Sequence, residues 1–270
     1  ANQLGMLWME VTGNDFAELP VMIAWLGVAA LGLQIYFEFS GFADMAIGLG
    51  ACLGFDFPEN FNYPYISASV TEFWCRWNMT LTGWLREYVY IPMGGSRKGL
   101  FCQIINILVV WLLAGIWHGA GWNYLLWGIW FAFWLILEKL FLKNLLKKLP
   151  GQLGNMYTLF IVAIGWVVFA IPQISEGIRY LSAMFGMNGA GLYSRESFYF
   201  GLKYMVLFII SFIAATPLFH RIAECMSHSV TGYGIATYRV LEKLILPILL
   251  IASIAHIVDG SYNPFLYFQL

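Results

Sequence analysis

The sequence predicts an all-α, polytopic membrane protein with a single membrane-embedded domain over residues 1–270. Three observations lead to this prediction: 60% of the 270 residues are hydrophobic, only 11% carry charge, and the chain contains 22 Phe, 15 Tyr and 12 Trp. An average soluble domain has about 25% charged residues. This composition is typical of a chain whose main solvent is the hydrocarbon of a bilayer.

Seven apolar stretches of the sequence approach the length of about 20 residues that a membrane-spanning helix requires. They are Pro20–Phe37, Phe39–Phe55, Leu100–Trp117, Trp122–Leu142, Met156–Ile174, Tyr199–Phe219 and Val240–Val258. The second stretch contains Asp44 and many small residues, so it fits a span less well than the others do.

The segment from Ser67 to Met93 mixes charged residues with large aromatic ones. Such a mixture is unsuited to contact with lipid, and it predicts an amphipathic or re-entrant helix that lines a polar cavity. The run Phe57–Tyr65, which is interrupted by prolines, is predicted to be an ordered loop whose aromatic side chains lie at an interface.

Basic residues orient the predicted hairpin of the third and fourth stretches. They are Arg97, Lys98, Lys139, Lys143, Lys147 and Lys148. Because cytoplasmic loops are enriched in Lys and Arg, both ends of this hairpin are predicted to be cytoplasmic. His118 would then lie about 30 Å along the first helix, near the opposite face, and a helix break at Gly115 would leave it deeper. The segment Gly186–Ser197 is predicted to be a flexible external loop.

Composition and spacing also exclude several functions. The net charge is −1 and the 14 Lys and Arg residues are dispersed, so no basic face for a nucleic acid is expected. Cys52, Cys75, Cys102 and Cys225 form no CxxC pair, no metal site is predicted, and the thiols are expected to be reduced or buried. No signal peptide follows Ala1, and we expect the chain to be the C-terminal part of a longer one.

The run from Trp117 to Trp122 places an ionisable ring, His118, among residues that suit hydrocarbon, with three glycines nearby. A neutral imidazole both donates and accepts a proton near physiological pH, and an intramembrane histidine is a candidate functional residue. From these residues alone, catalysis and a buried, hydrogen-bonded imidazole remain equal interpretations. The other histidines, His220, His228 and His256, are interpreted as interfacial or structural.

Two arginines, Arg76 and Arg86, lie among large aromatic residues. Removing a guanidinium from water is costly, so each is expected to face a carboxylate, backbone carbonyls or water. Glu72 and Glu87 are the candidate partners. Structural ion pairs are favoured over contacts with a substrate.

Two further polar residues, Asp44 and Asn78, carry weaker signals. An ionised carboxylate in the second stretch needs a cation or several hydrogen-bond donors, and a structural salt bridge from Asp44 to Arg76 or Arg86 is predicted. Asn78, taken alone, predicts only a hydrogen bond between helices.

Several segments, in this order, resemble the membrane-bound O-acyltransferase (MBOAT) family, most closely its bacterial branch for alginate and peptidoglycan O-acetylation. They are Phe39–Ala46, Phe57–Phe61, Phe73–Arg86, Tyr90–Gly99, Trp117–Gly119 and Tyr262–Phe265. The resemblance spans nearly the whole chain, although residues 160–238 match only in general character. It implies a helical bundle with re-entrant or amphipathic segments around a central tunnel, and further helices before Ala1.

The resemblance implies that His118 is the catalytic histidine, flanked by Trp117. It also implies that Asn78 occupies a second active-site position, which is histidine or asparagine depending on the branch. The bacterial polysaccharide branch usually has a histidine there and an arginine where this chain has Cys75. These two differences bear on the substrate and on the activity.

The implied reaction moves an acetyl group from a cytosolic thioester, acetyl-CoA, to an envelope glycan or an extracytoplasmic partner acetyltransferase, with no bound cofactor. The implied location is the inner membrane, among its lipids. Arg76 and Arg86 would steady an anionic donor or brace the tunnel wall. Transfer of D-alanine to teichoic acid and a non-catalytic channel or scaffold are the alternatives, and the segment Gly94–Gly99 favours acetylation. For Tyr267, packing is expected rather than carriage of the acyl group.

Overall fold

The computed structural model describes residues 1–227 and 232–258, and these residues fold into a bundle of α-helices. In this part of the chain the helices are α1 (Asn2–Thr12), α2 (Val21–Cys52), α3 (Val70–Arg76), α4 (Met79–Leu85), α5 (Leu100–His118), α6 (Trp122–Leu137), α7 (Lys143–Leu146), α8 (Gly151–Ala170), α9 (Ile174–Met184), α10 (Arg195–Ala214), α11 (Leu218–Ser227) and α12 (Gly232–Val258). A 3₁₀ turn covers Pro64–Ile66, and π-helical turns cover Arg86–Tyr90 and Glu138–Leu142. The segment Tyr262–Phe265, His228 and Tyr267 lie outside the described residues.

Within the described residues, 5 helical segments are long and apolar enough to cross a membrane. They are Val21–Cys52, Leu100–His118, Trp122–Leu146, Gly151–Ala170 and Arg195–Ala214. The prediction of an all-α polytopic membrane protein is therefore confirmed.

The predicted division between the first two spans is wrong. The first two stretches form one continuous helix, because α2 runs for 32 residues without a proline to break it. The last stretch, Val240–Val258, lies in α12, where the described residues include an apolar helix over Lys243–Ala255. A membrane span there stays a prediction.

The interior of the bundle is organised around α2, α6 and α8. Helix α6 packs against α5 and α8, while α2 packs against α1, α8, α9 and α10. Helix α3 enters this interior and buries Val70, Phe73 and Trp74. The ring centroid of Trp74 lies 4.6 Å from that of Trp111 on α5 and 4.8 Å from that of Phe131 on α6. A helix that spans no membrane is thus part of the core.

The segment Ser67–Met93 is divided into short pieces rather than forming one helix. Helices α3 and α4 have 7 residues each, so neither is longer than about 10 Å. The preceding loop is fixed by Tyr65, whose hydroxyl donates to the carbonyl of Gly32 at 2.5 Å and accepts from Trp166 Nε1 at 3.2 Å. Burial raises the pKa of Tyr65, so this hydroxyl keeps its proton and remains a donor.

Close packing of α5 and α6 depends on glycine. A Cβ added to Gly115 would lie 2.5 Å from the carbonyl oxygen of Tyr124, and one added to Gly128 would collide with the carbonyl oxygen of Trp111. Helix α5 runs without a break through Gly115 to His118, so the alternative of a helix break at this glycine does not apply. This glycine lets two backbones approach each other instead of bending one of them.

We expect Gly115→Ala to lower the free energy of unfolding by about 1–3 kcal/mol, because the new methyl group overpacks a rigid backbone contact. The apparent melting temperature in detergent measures the effect. Gly41→Ala in α2 is the matched control, since its Cβ would meet nothing within 4 Å and it should be neutral or slightly stabilising. Equal melting temperatures for the two variants would contradict the expectation.

Candidate acyl-transfer site

A cavity of about 810 Å³ lies among α2, α3, α4, α5, α6 and α8. Of the residues singled out in the sequence, His118, Asn78, Arg86 and Trp117 line this cavity. Arg76, Glu72 and Asp44 do not line it. The fold thus places the two predicted catalytic residues at one cavity: His118 ends α5, and Asn78 precedes α4.

The cavity wall is mainly apolar, so the prediction of a polar cavity is wrong. The residues that line the cavity include six with aromatic or aliphatic side chains: Ile35, Phe39, Leu81, Val110, Trp127 and Phe169. Few polar side chains interrupt it, among them Glu38 and Thr82 besides those already named. An apolar wall with a few polar groups is the usual form of a small-molecule site, and it keeps water away from the reacting groups.

His118 is held by rings from three helices. Its centroid lies 4.9 Å from that of Trp117, 5.0 Å from that of Trp127 on α6 and 5.1 Å from that of Phe169 on α8. The ring of Tyr124 stacks on the imidazole, with 6.3 Å between the centroids. It fits there because residue 119 is glycine, since a Cβ at this position would lie 2.6 Å from the Tyr124 ring. The imidazole therefore has little freedom to turn.

Asn78 lies between α3 and α4 in a left-handed conformation, with φ 42° and ψ 58°. Asparagine, aspartate and histidine are the non-glycine residues that adopt this conformation most readily. The residue is only 6% exposed, and within the described part of the chain its amide does not cap α4. Its side chain is thus placed at the cavity without being used by the helix that it precedes.

A continuous run of rings connects the surroundings of Asn78 with His118. Trp77 lies 5.0 Å from Trp166, Trp166 lies 6.1 Å from Phe169, and Phe169 lies 5.1 Å from His118. Side chains of α8 thus hold the segment before α4 and the end of α5 in one rigid wall.

The two arginines have different surroundings. Arg76 forms the predicted ion pair with Glu72, with 3.0 Å between Nε and Oε1, and it also donates to the carbonyl of Asn62 at 3.1 Å. Arg86 is exposed at the cavity, and among the described residues it has no ion pair. The predicted pair of Arg86 with Glu87 is therefore wrong, and so is a salt bridge from Asp44, which lies exposed on α2.

Glu138 holds the start of α3 in place, a role that the sequence pattern did not predict. It is 3% exposed, in the π-helical turn after α6. Its carboxylate accepts from the backbone N–H of Val70 at 2.7 Å, from that of Thr71 at 2.9 Å and from the Thr71 hydroxyl at 2.6 Å. A carboxylate inside an apolar stretch was the available signal, since such a group needs several donors.

The remaining candidates take no part in the cavity, with one exception. His220 pairs with Glu224 at 3.2 Å on the surface, and the side chain of His256 is not described. All four cysteines are free, but Cys52, Cys75 and Cys225 are exposed rather than buried. Cys75 is the exception, because it lines the cavity beside Asn78.

A family model of the membrane-bound O-acyltransferase family matches residues 10–178, a range that contains every residue of the cavity described above. The chain belongs to the membrane-bound O-acyltransferase family. The cavity with His118 and Asn78 therefore lies in the part of the chain that the family model matches.

Curated relatives carry names that describe acyl transfer. The chain is 37% identical over 260 residues to the probable alginate O-acetylase of Pseudomonas putida, covering 91% of this chain and 53% of that protein. It is 35% identical over 177 residues to the peptidoglycan O-acetyltransferase of Helicobacter pylori, covering 64% and 34%. It is 28% identical over 152 residues to the teichoic acid D-alanyltransferase of Bacillus subtilis, covering 51% and 38%. The chain spans about half the length of the Pseudomonas relative.

We expect Glu138→Gln to lower the free energy of unfolding by about 1–3 kcal/mol, because an amide NH₂ would replace one of two oxygens that accept hydrogen bonds. The measurement is the melting temperature in detergent. Glu87→Gln is the matched control, since this residue is exposed in the other π-helical turn. If both variants melt alike, Glu138 does not fix α3.

Proposed function

We propose that the native protein transfers an acetyl group from a cytosolic thioester, acetyl-CoA, to a hydroxyl group outside the inner membrane. The acceptor is a cell-envelope glycan or an extracytoplasmic partner acetyltransferase. The observation that carries the proposal is the meeting of His118 and Asn78 in one mainly apolar cavity. Family membership and the names of the Pseudomonas and Helicobacter relatives support it.

The proposed reaction uses His118 as a general base. Its neutral imidazole takes the proton of the acceptor hydroxyl while the oxygen attacks the thioester carbonyl. The tetrahedral intermediate then collapses, the C–S bond breaks, and the imidazolium returns the proton to the departing thiolate. An ester and a free thiol result. Such proton transfer typically contributes about 10²–10⁴ in rate.

Asn78 is proposed to donate its amide N–H to the oxyanion that forms during the attack. A donor that is already in place stabilises developing charge strongly where water is excluded, and losing one such donor costs about 10²–10³ in rate. The left-handed backbone at this position suits asparagine and histidine alike. This gives a physical reason why either residue fits the position.

The place of the cavity along α5 supports a proposed direction of transfer. Its lining on this helix begins at Ile107 and ends at His118, a rise of about 16 Å. We propose that the donor enters from the cytoplasmic side, where basic residues flank the hairpin, and that the acceptor reaches His118 from the opposite side. The acyl group then crosses the membrane inside the protein.

Arg86 is proposed to bind the phosphate groups of the donor. Arg76 is already engaged by Glu72 and the Asn62 carbonyl, whereas Arg86 is exposed at the cavity. Guanidinium groups form strong charge-assisted hydrogen bonds with phosphates. D-Alanyl transfer would also use a thioester donor. Mass spectrometry of the product distinguishes acetylation from D-alanylation by the mass of the acyl group that is attached.

We expect His118→Ala to insert normally and to reduce acyl transfer by at least about 10²-fold, because the general base is lost. Mass spectrometry of envelope glycans, at matched membrane levels, measures the acetyl content. His220→Ala is the control, since that exposed histidine lies outside the cavity. Unchanged acetylation in the His118 variant would favour the channel or scaffold.

We expect Arg86→Gln to raise the KM for acetyl-CoA about tenfold with little change in kcat, because it weakens donor binding rather than the chemical step. S-acetylpantetheine carries none of the phosphate groups of acetyl-CoA, so its KM should change by less than about twofold. Steady-state kinetics of the purified native protein measures both values. An equal rise for the two donors would show that Arg86 does not bind phosphate.

A further inference from the structure

The loop before α3 supplies the helix cap that Asn78 does not provide. Asn60 lies in this loop, and its Oδ1 accepts from the backbone N–H of Thr80 at 3.1 Å and from the Thr80 hydroxyl at 2.6 Å. Its carbonyl oxygen accepts from the N–H of Met79 at 2.9 Å. The first free donors of α4 are therefore satisfied by a residue far away in the sequence.

Asn78 occupies the position from which an asparagine usually caps a helix. In that role the side-chain oxygen bonds to the second or third N–H of the helix. Here the backbone of Asn78 is left-handed and its side chain makes no cap hydrogen bond. Asn60 has taken over the capping role, and the amide of Asn78 remains at the cavity.

The loop holds the chain on both sides of Asn78. Before it, the N–H of Asn62 donates to the carbonyl of Arg76 at 2.9 Å, and the ring of Phe61 lies 5.1 Å from that of Trp77. After it, Asn60 bonds to Met79 and Thr80. The left-handed turn is thus clamped between two fixed points.

We propose that Asn60 is a positioning residue for acyl transfer. By capping α4 from the loop, it keeps the backbone of Asn78 in the left-handed conformation and the amide turned toward the cavity. The inference rests on the proposed function, since it assigns Asn60 an effect on the chemical step through Asn78. A misplacement of about 1 Å in a reacting group is enough to reduce a rate up to 10²-fold.

The test compares two leucine substitutions in the same loop. Asn60→Leu removes the oxygen that caps α4. Asn62→Leu is the matched control, because Asn62 holds the loop through its backbone N–H and carbonyl, which leucine retains. Asn60→Asp should restore function, since aspartate keeps an acceptor oxygen and adds a charge that suits a helix N-terminus.

The readouts are kcat and the KM for acetyl-CoA, measured for the native protein per folded molecule after size-exclusion chromatography. We expect Asn60→Leu to lower kcat between about tenfold and a hundredfold, with the donor KM changed by less than about threefold. Asn62→Leu and Asn60→Asp should stay within about threefold of wild type in both constants. A general disturbance of α4 would raise KM as well, because Leu81, Thr82 and Leu85 also line the cavity.

Several outcomes would overturn the inference. One is an unchanged kcat in Asn60→Leu. Another is an equal loss of kcat in Asn60→Leu and Asn62→Leu. The third is a rise in the KM for acetyl-CoA that is as large as the fall in kcat. If Asn60→Leu does not fold, Thr80→Val replaces it, because it removes only the 2.6 Å hydroxyl bond and should lower kcat about threefold or more.

His118→Ala in the same assay separates the role of Asn60 from the proposed function. Full activity there contradicts the proposed function, whereas an inactive His118 variant beside a fully active Asn60→Leu contradicts only the role of Asn60.

Discussion

The structure depends on hydrogen bonds to the free backbone groups at the ends of short helices that lie in an apolar interior. A long helix in a membrane bonds most of its backbone internally, but a helix of 7 residues has more free donors and acceptors than internal hydrogen bonds. Two side chains from distant segments meet this need: the carboxylate of Glu138 at the start of α3 and the amide of Asn60 at the start of α4. Together with the packing of Trp74 against Trp111 and Phe131, these hydrogen bonds hold the segment that carries Asn78 in the core.

The same constraint explains how the site works with few polar groups. Side chains of α5, α6 and α8 surround His118 with rings, and the cavity that it lines is mainly apolar. In such surroundings a hydrogen bond or a charge acts more strongly than it does in water. A single imidazole, a single amide and a guanidinium at the cavity are therefore enough for the proposed chemistry. Two carboxylates near the site, Glu138 and Glu72, serve the scaffold.

Local patterns predicted part of this arrangement correctly. The apolar stretches that became α5, α6, α8 and α10 were visible because lipid selects long runs of apolar residues. The pair of Glu72 with Arg76 followed from their spacing on one helix face. The predictions that failed concerned relations between segments. They are the salt bridge of Asp44 and the separation of α2 into two spans.

By itself, the sequence determined that the chain is a helical membrane protein and that His118 is the candidate base. Amino-acid composition and the length of apolar stretches depend only on local chemistry, so they do not require knowledge of which helices pack against each other. Only the tertiary structure decided that Asn78 shares a cavity with His118, that Arg86 rather than Arg76 is exposed at that cavity, and that Asn60 and Glu138 cap the short helices. These contacts join residues far apart in the chain, so no local pattern could predict them.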